Sequence, residues 1–204
     1  MAVDPYVYPG TRVLRNRLEI TDEDELARVE ARVTLIADLD LAERPEAGEY
    51  DLAHLQRIHR RLFSPIYAWA GELRTTDIAK DNALFCRAHL LEQYAPEVFA
   101  RVERGPVLRE LSYERVVNRL PGHLAGVDAL HPFREGNGRA TRAFFTQWGA
   151  EVGVQLNWAD LDRDRNVAAY QAAFRGHLEP LRELVREIAE PIARRRDRGV
   201  DLGR

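Results

Sequence analysis

Twelve consecutive residues, His131-Pro-Phe-Arg-Glu-Gly-Asn-Gly-Arg-Ala-Thr-Arg142, gather an imidazole, a carboxylate, a Gly-Asn-Gly turn and two arginines. His131 is the only side chain of the stretch whose ordinary pKa lies near neutrality, so it is the natural base for taking a proton from a hydroxyl. Gly136, Asn137 and Gly138 carry no bulky side chain, so their backbone N–H groups can converge. The apolar run that follows predicts a helix whose N-terminus faces that turn, which makes an anion cradle. Glu135 beside the cradle is wasted on a bare phosphate, but it makes sense if a hard divalent cation bridges it to phosphate oxygens. Arg139 and Arg142 stand three apart on the new helix, a spacing that lets both face the phosphates. A base, a metal-bound polyphosphate and two cations together describe attack of a hydroxyl on phosphorus, where catalysis is mainly positioning and electrostatics. Phe133 reads as a core anchor that fixes the loop.

The elements that must hold this stretch are mostly helical. Thr21 stands three residues before Asp24 in a capping-box pattern, and Leu26, Val29, Val33 and Ile36 follow at helical spacing. A second helix is expected from about Asp51, with Leu52, Leu55, Ile58 and Leu62 on one stripe and Ser64-Pro65 as its stop. Between residues 66 and 87 the period changes: Leu73, Thr75, Thr76 and Ile78 form an extended run. A polar Lys80-Asp81-Asn82 tip then leads into Leu84-Phe85-Cys86, which predicts a small β-hairpin anchored by Trp69 and Phe85. Its edge can receive another strand. Pro96 argues for a break or a fresh helix start among residues 88 to 104. Ser112 caps a helix that runs towards His131 and should kink at Pro121-Gly122. After the cradle, Phe144, Phe145 and Trp148 form the stripe of a helix ended by Gly153. Two further helical patterns pass through Val167, Tyr170 and Phe174, and through Leu181, Leu184, Val185 and Ile188. His54, His59, His89, His123 and His177 read as structural or surface residues.

A chain of 204 residues, 45% hydrophobic and 31% charged, can bury one sizeable core, so the expected organisation has one domain. Residues 1–20 are expected to be an irregular surface segment without chemistry, residues 21–190 the domain, and residues 191–204 a basic solvated tail around Arg194-Arg195-Arg196-Asp197-Arg198. A net charge of -3 supplies no basic field, so direct nucleic-acid binding is not expected. No apolar run spans a bilayer and the first residues lack a signal-peptide pattern, which predicts a cytoplasmic protein and no membrane partner. Cys86 is the only cysteine, so a thiolate zinc cluster and an intramolecular disulfide are excluded.

The twelve residues match at every fixed position the motif His-x-Phe-x-(Asp/Glu)-Gly-Asn-Gly-Arg-x-x-Arg, and in this the chain resembles the Fic family. The likeness extends from Tyr8-Pro-Gly through Tyr67-Ala-Trp-Ala-Gly-Glu-Leu-Arg74 to the helices after Gly153. It implies an all-α helical bundle with a β-hairpin flap beside the active site, and transfer of AMP from ATP to a hydroxyl of a target protein. Carried over, His131 deprotonates an exposed Ser, Thr or Tyr of the target, and Glu135 holds the magnesium ion (Mg2+) that bridges the α- and β-phosphates. Gly136, Asn137 and Gly138 form the anion hole, Arg139 helps hold the β-phosphate and Arg142 holds the γ-phosphate. Thr75, Thr76, Asp77, Ile78, Ala79 and Lys80 belong to the flap that clamps an extended target segment. Adenine sits against residues 157 to 174.

Many members of the family are restrained by a helix of pattern (Ser/Thr)-x-x-x-Glu-(Gly/Asn), whose glutamate pairs with the motif's last arginine. Thr21 to Glu25 is a partial match, but Leu26 follows where Gly or Asn is required, and a helix cap explains the same residues. The resemblance therefore implies a toxin whose inhibitory glutamate comes from a separate small antitoxin chain. The alternatives are a relative that transfers a phosphate or another nucleotide, and a catalytically silent module that uses the flap to hold a peptide.

Overall fold

The computed structural model describes residues 4–80 and 83–192, and within them the chain is helical with two minimal sheets. Helix α1 (Glu23–Glu43) begins one residue later than the capping-box reading implies. Asp22, not Thr21, is its cap, and the Asp22 carboxylate accepts the Glu25 N–H at 2.7 Å. A charged acceptor at that place also meets the positive end of the helix dipole. The inward stripe of α1 differs from the expected one as well. Leu26, Glu30, Thr34 and Leu41 are buried, whereas Ile36 is 69% exposed beside Leu35 and Leu39.

Helix α2 (Leu52–Phe63) is capped by Asp51, which accepts the His54 N–H at 2.8 Å, and it buries Leu55, Ile58 and Leu62 as its spacing predicts. The flap follows as β1 (Ala79–Lys80) and β2 (Ala83–Leu84), antiparallel with Ala79 opposite Leu84. It is shorter than the sequence suggests, because the backbone on either side is bonded elsewhere. The Arg74 N–H donates to Pro132 O at 2.9 Å, and the Cys86 N–H donates to Ala129 O at 2.9 Å. Trp69 stacks on Tyr67 and anchors the loop before the flap, while Phe85 anchors the flap itself. The expected tip residues Asp81 and Asn82, and the basic tail, lie outside the described residues.

Helix α3 (Leu91–Phe99) continues through Pro96, against the break expected there, and a short turn of helix α4 (Pro106–Arg109) precedes α5. Helix α5 (Tyr113–Leu130) is capped by Ser112 and runs through Pro121-Gly122, with Val116, Val117, Leu120, Leu124 and Val127 buried on both sides of the proline. Tertiary burial of this kind outweighs the loss of one backbone donor.

Helix α6 (Asn137–Glu151) is the centre of the fold and packs against α1, α2 and α5. Phe144, Phe145 and Trp148 on it are fully buried; the Phe144 and Phe145 rings meet edge to face at 5.0 Å. Burial of each such side chain contributes about 1.5–3 kcal/mol. The chain then forms β3 (Val154–Leu156), α7 (Arg163–Phe174), α8 (Glu179–Ile188) and β4 (Ala189–Pro191). The pairing of β3 with β4, Leu156 opposite Ala189, was not expected from three-residue strands of which one carries a proline. It ties the end of α8 back to α6 at Gly149, where an added Cβ would stand 2.8 Å from Val154 O. Gly149→Ala should therefore destabilise the protein by about 1–3 kcal/mol, as overpacking does. A urea midpoint unchanged from that of the parent protein would show that the β3 backbone can retreat.

Candidate active site

The turn between α5 and α6 is built around two residues in the left-handed region. His131 ends α5 with φ 45° and ψ 60°, its N–H bonded to Val127 O at 3.1 Å. Gly136 precedes α6 with φ 79°, and a Cβ there would come within 2.3 Å of the Phe63 ring, so no other residue fits. Between them Phe133 is buried, as its reading as an anchor requires. The Asn137 side chain turns inward rather than towards a ligand. Its Oδ1 accepts the Phe133 N–H at 2.9 Å, and its Nδ2 donates to Phe133 O at 2.8 Å. What Asn137 and Gly138 offer an anion is thus their backbone N–H groups, in the first turn of α6 where no intrahelical acceptor exists.

The imidazole of His131 is oriented from two sides. Its Nδ1 lies 3.3 Å from Asp128 O and 3.5 Å from the Asp128 carboxylate, and both are acceptors. In the neutral ring the proton therefore belongs on Nδ1, which leaves Nε2 free to receive another. Phe85, from the return of the flap, stacks on the ring at a centroid distance of 3.9 Å. Asp128 was missed in the sequence, although an acid three residues before a helix-ending histidine is a usable signal.

His131, Glu135, Asn137, Gly138 and Arg142 come together in one cleft of about 460 Å³, closed on its far side by Trp158, Tyr170 and Phe174. All three belong to the segment expected to hold adenine. Glu135 keeps its carboxylate half-exposed, and its Oε1 accepts the Gly136 N–H at 2.8 Å. Arg142 lies half-buried, forms no ion pair among the described residues, and has its pKa pushed down by desolvation. It also lines a second hollow of about 310 Å³ between α1 and α6, bordered by Thr34, Leu35, Asp38 and Arg139.

Arg139 does not line the first cleft with Arg142, although three-residue spacing allows it. Its guanidinium pairs with Glu30, lies 3.3 Å from Thr34 Oγ1, and rests over the Phe63 ring at 4.8 Å. It stands 3.6 Å from the Glu135 carboxylate. Glu30 also accepts the Tyr67 hydroxyl, so one buried carboxylate on α1 serves two functional segments. This explains why α1 turns a polar stripe inward, and a polar residue at that helical register was the available signal.

Of the expected flap residues, the first three hold the flap rather than stand free. Thr75 N–H donates to the Tyr6 hydroxyl at 3.0 Å, Thr76 O accepts from Arg74 at 2.8 Å, and the Asp77 carboxylate takes the Ala88 N–H at 2.8 Å and Arg87 at 2.9 Å. Ile78 O takes the Phe85 N–H at 3.3 Å, and Ala79 and Lys80 form the strand. The first residues also take part in the site, against expectation. Asp4 holds Arg134 through two bonds of 3.1 and 2.8 Å, so the amino-terminal segment braces both the turn between α5 and α6 and, through Tyr6, the flap.

The family profile of Fic/DOC proteins matches residues 49–148. The chain is 36% identical over 186 residues to the probable protein adenylyltransferase y4lH of Sinorhizobium fredii, covering 91% of this chain and 95% of that one. It is 36% identical over 183 residues to the protein adenylyltransferase VbhT of Bartonella schoenbuchensis, covering 90% of this chain but only 38% of VbhT. Among solved structures, BepC of Bartonella tribocorum with bound AMPPNP superposes with a TM-score of 0.82 at 23% identity, over 91% of this chain and 96% of that one. The chain belongs to the Fic/DOC family.

His59, on α2, supports the site from behind. Its Nδ1 accepts the Gly71 N–H at 2.8 Å, so its Nε2 carries the proton and donates to Glu135 O at 2.9 Å. The ring is sandwiched between Phe133 at 3.8 Å and Phe63 at 4.6 Å, and burial pushes its pKa down to about 4. An unfolded chain protonates this histidine below about pH 6.5, so between the two values the unfolded state binds more protons. The stabilisation is therefore complete above about pH 6.5 and is lost as pH falls, by about 1.4 kcal/mol per unit. From pH 7 to pH 5 the unfolding free energy of the native chain should fall by about 2 kcal/mol more than that of His59→Asn. Equal falls in urea titrations would place the proton elsewhere.

Proposed function

We propose that this chain is a protein adenylyltransferase that moves AMP from ATP to a hydroxyl side chain of a target protein. The observation that carries the reading is the shared cleft. A histidine whose Nδ1 faces only acceptors opens beside the first turn of a helix, with Glu135 and an unpaired Arg142 in reach. Kinship with proteins named adenylyltransferases over nine-tenths of the chain supports it.

In this reading Nε2 of His131 takes the proton of a Ser, Thr or Tyr hydroxyl. The hydroxyl oxygen bonds the α-phosphorus as the bond to the bridging oxygen breaks, and pyrophosphate leaves. The free N–H groups of Asn137 and Gly138 face the phosphate charge, and Arg142 takes the γ-phosphate end. The guanidinium of Arg139 has five donors, of which Glu30 and Thr34 occupy two, so it has donors left for a β-phosphate oxygen. Glu135 would hold a magnesium ion, which would supply positive charge to offset that of the phosphates. A single half-exposed carboxylate, with no cluster of acids or histidines among the described residues, fits an ion that arrives with its nucleotide. With ATP labelled at the α-phosphate, label should appear on proteins of a lysate, and label at the γ-phosphate should not. His131→Ala should lower the rate about 10²–10⁴-fold, and a chelator should abolish it. Transfer of the γ-label would instead establish phosphate transfer.

We also propose a cytoplasmic setting and a small antitoxin chain that supplies an inhibitory glutamate, which makes this chain the toxin of a pair. Among the described residues no helix is long and apolar enough to cross a membrane. Arg142 lines the hollow between α1 and α6 together with exposed Leu35, and Ile36 and Leu39 are exposed on the same helix. That surface suits an amphipathic helix bearing a carboxylate. A synthetic helix of that type should bind the protein with micromolar affinity and lose at least 10-fold on Arg142→Ala, the scale of a charge-assisted pair. Calorimetry showing equal affinity for both proteins would place the helix elsewhere.

A further inference from the structure

Arg74 is 2% exposed, yet no carboxylate among the described residues lies within ion-pair distance of it. Backbone carbonyls surround its guanidinium instead. Nε donates to His131 O at 2.8 Å, Nη1 to Thr76 O at 2.8 Å, and Nη2 to Cys86 O and to Leu130 O, the latter at 3.3 Å. Two of these acceptors lie at the C-terminal end of α5, where carbonyls lack intrahelical donors and partial negative charge collects. The other two lie on the outgoing and returning stems of the flap.

The backbone repeats the same connection. The Arg74 N–H meets Pro132 O and the Cys86 N–H meets Ala129 O, both at 2.9 Å. Phe85, next to Cys86, covers the His131 ring. His131 itself holds a left-handed conformation that non-glycine residues adopt at some cost, and such a residue persists only where its surroundings over-determine it. A planar fork of five donors can bind four carbonyls from two segments at once. The ammonium of lysine cannot reproduce that geometry.

We propose that Arg74 is the positioning residue that makes the flap and the His131 turn one rigid unit, so that a polypeptide laid along the flap reaches the imidazole at a fixed distance. The proposal rests on the adenylyltransferase reading for its kinetic test alone. Arg74 contributes no atom to the cleft around Arg142 and the first turn of α6, so nucleotide binding and transfer should separate on its substitution.

The test compares the native chain with Arg74→Lys in three measurements. Calorimetry with magnesium and a non-hydrolysable ATP analogue should give affinities within about twofold of each other. Labelling of the strongest acceptor in a lysate from α-labelled ATP should fall about 100-fold, as a displacement near 1 Å can cost. Amide hydrogen exchange should show the Cys86 and His131 N–H groups opening together in the native chain, and both opening faster in the variant. An unchanged labelling rate in Arg74→Lys overturns the proposal, and so does an equal loss in nucleotide affinity and labelling. If the variant does not fold, exchange in the native chain decides: independent opening of Cys86 and His131 overturns the coupling. A native chain that labels no protein defeats the transferase reading instead, and leaves the coupling to the exchange measurement.

Discussion

The site depends on the closure of the turn from α5 to α6 by the Asn137 side chain, which bonds both the N–H and the C=O of Phe133. Those two bonds fold the intervening residues into a loop with His131 at one end and the first turn of α6 at the other. An amide is well suited to the task, since it offers one acceptor and two donors to a buried peptide that otherwise lacks partners. His59 completes the closure by bonding Glu135 O from α2, and Gly136 permits it by leaving room for Phe63. His131 and the first turn of α6 are therefore held by a single loop, and the helices position that loop as a body.

Three buried or half-buried arginines surround the loop, and their surroundings separate their tasks. Arg74 is enclosed by carbonyls, so its charge is spent on geometry. Arg139 shares Glu30 with Tyr67 and keeps a second carboxylate, Glu135, at 3.6 Å, which places it between support and ligand. Arg142 forms no ion pair among the described residues, and the charges of Tyr170 and Asp38 offset only part of the desolvation that pushes its pKa down. A buried cation without a counter-charge gains most when an anion arrives. In the proposed reaction, the lack of an ion pair at Arg142 is the physical reason that a γ-phosphate, or a glutamate of another chain, would gain from binding there.

The sequence made this loop readable because its chemistry is local. Every fixed position of the motif falls within twelve residues, and the helices on either side follow from ordinary periodicity. What it concealed are partners that are distant in the chain. Glu30 is 109 residues from Arg139, and Asp4 is 130 residues from Arg134. No periodic pattern announces such pairs; Glu30 only interrupts the apolar stripe of α1, and the capping pattern at Thr21 was outcompeted by the carboxylate of Asp22. The flap was recognisable as a hairpin, but its length was not, because hydrogen bonds to the α5 end take the backbone groups that a longer ladder would need. The β3–β4 pair escaped for the opposite reason: three-residue strands hold no period to detect.

The division of the flap into fixed stems and a short paired end follows from these bonds. Thr75, Thr76 and Asp77 each spend a backbone or side-chain group on Tyr6, Arg74 or Ala88, whereas β1 pairs only with β2 among the described residues. A strand added to that edge would use main-chain groups and so would read the target's extended shape more than its side chains. In the proposed reaction, selection among hydroxyl-bearing targets would then fall to the distance between that edge and Nε2 of His131. The stems, Phe85 and the Asp4 and Tyr6 braces all act on that one distance. A flap with loose stems would present the hydroxyls of an added segment at no fixed place, so the proposed transfer would depend on rigidity at the stems.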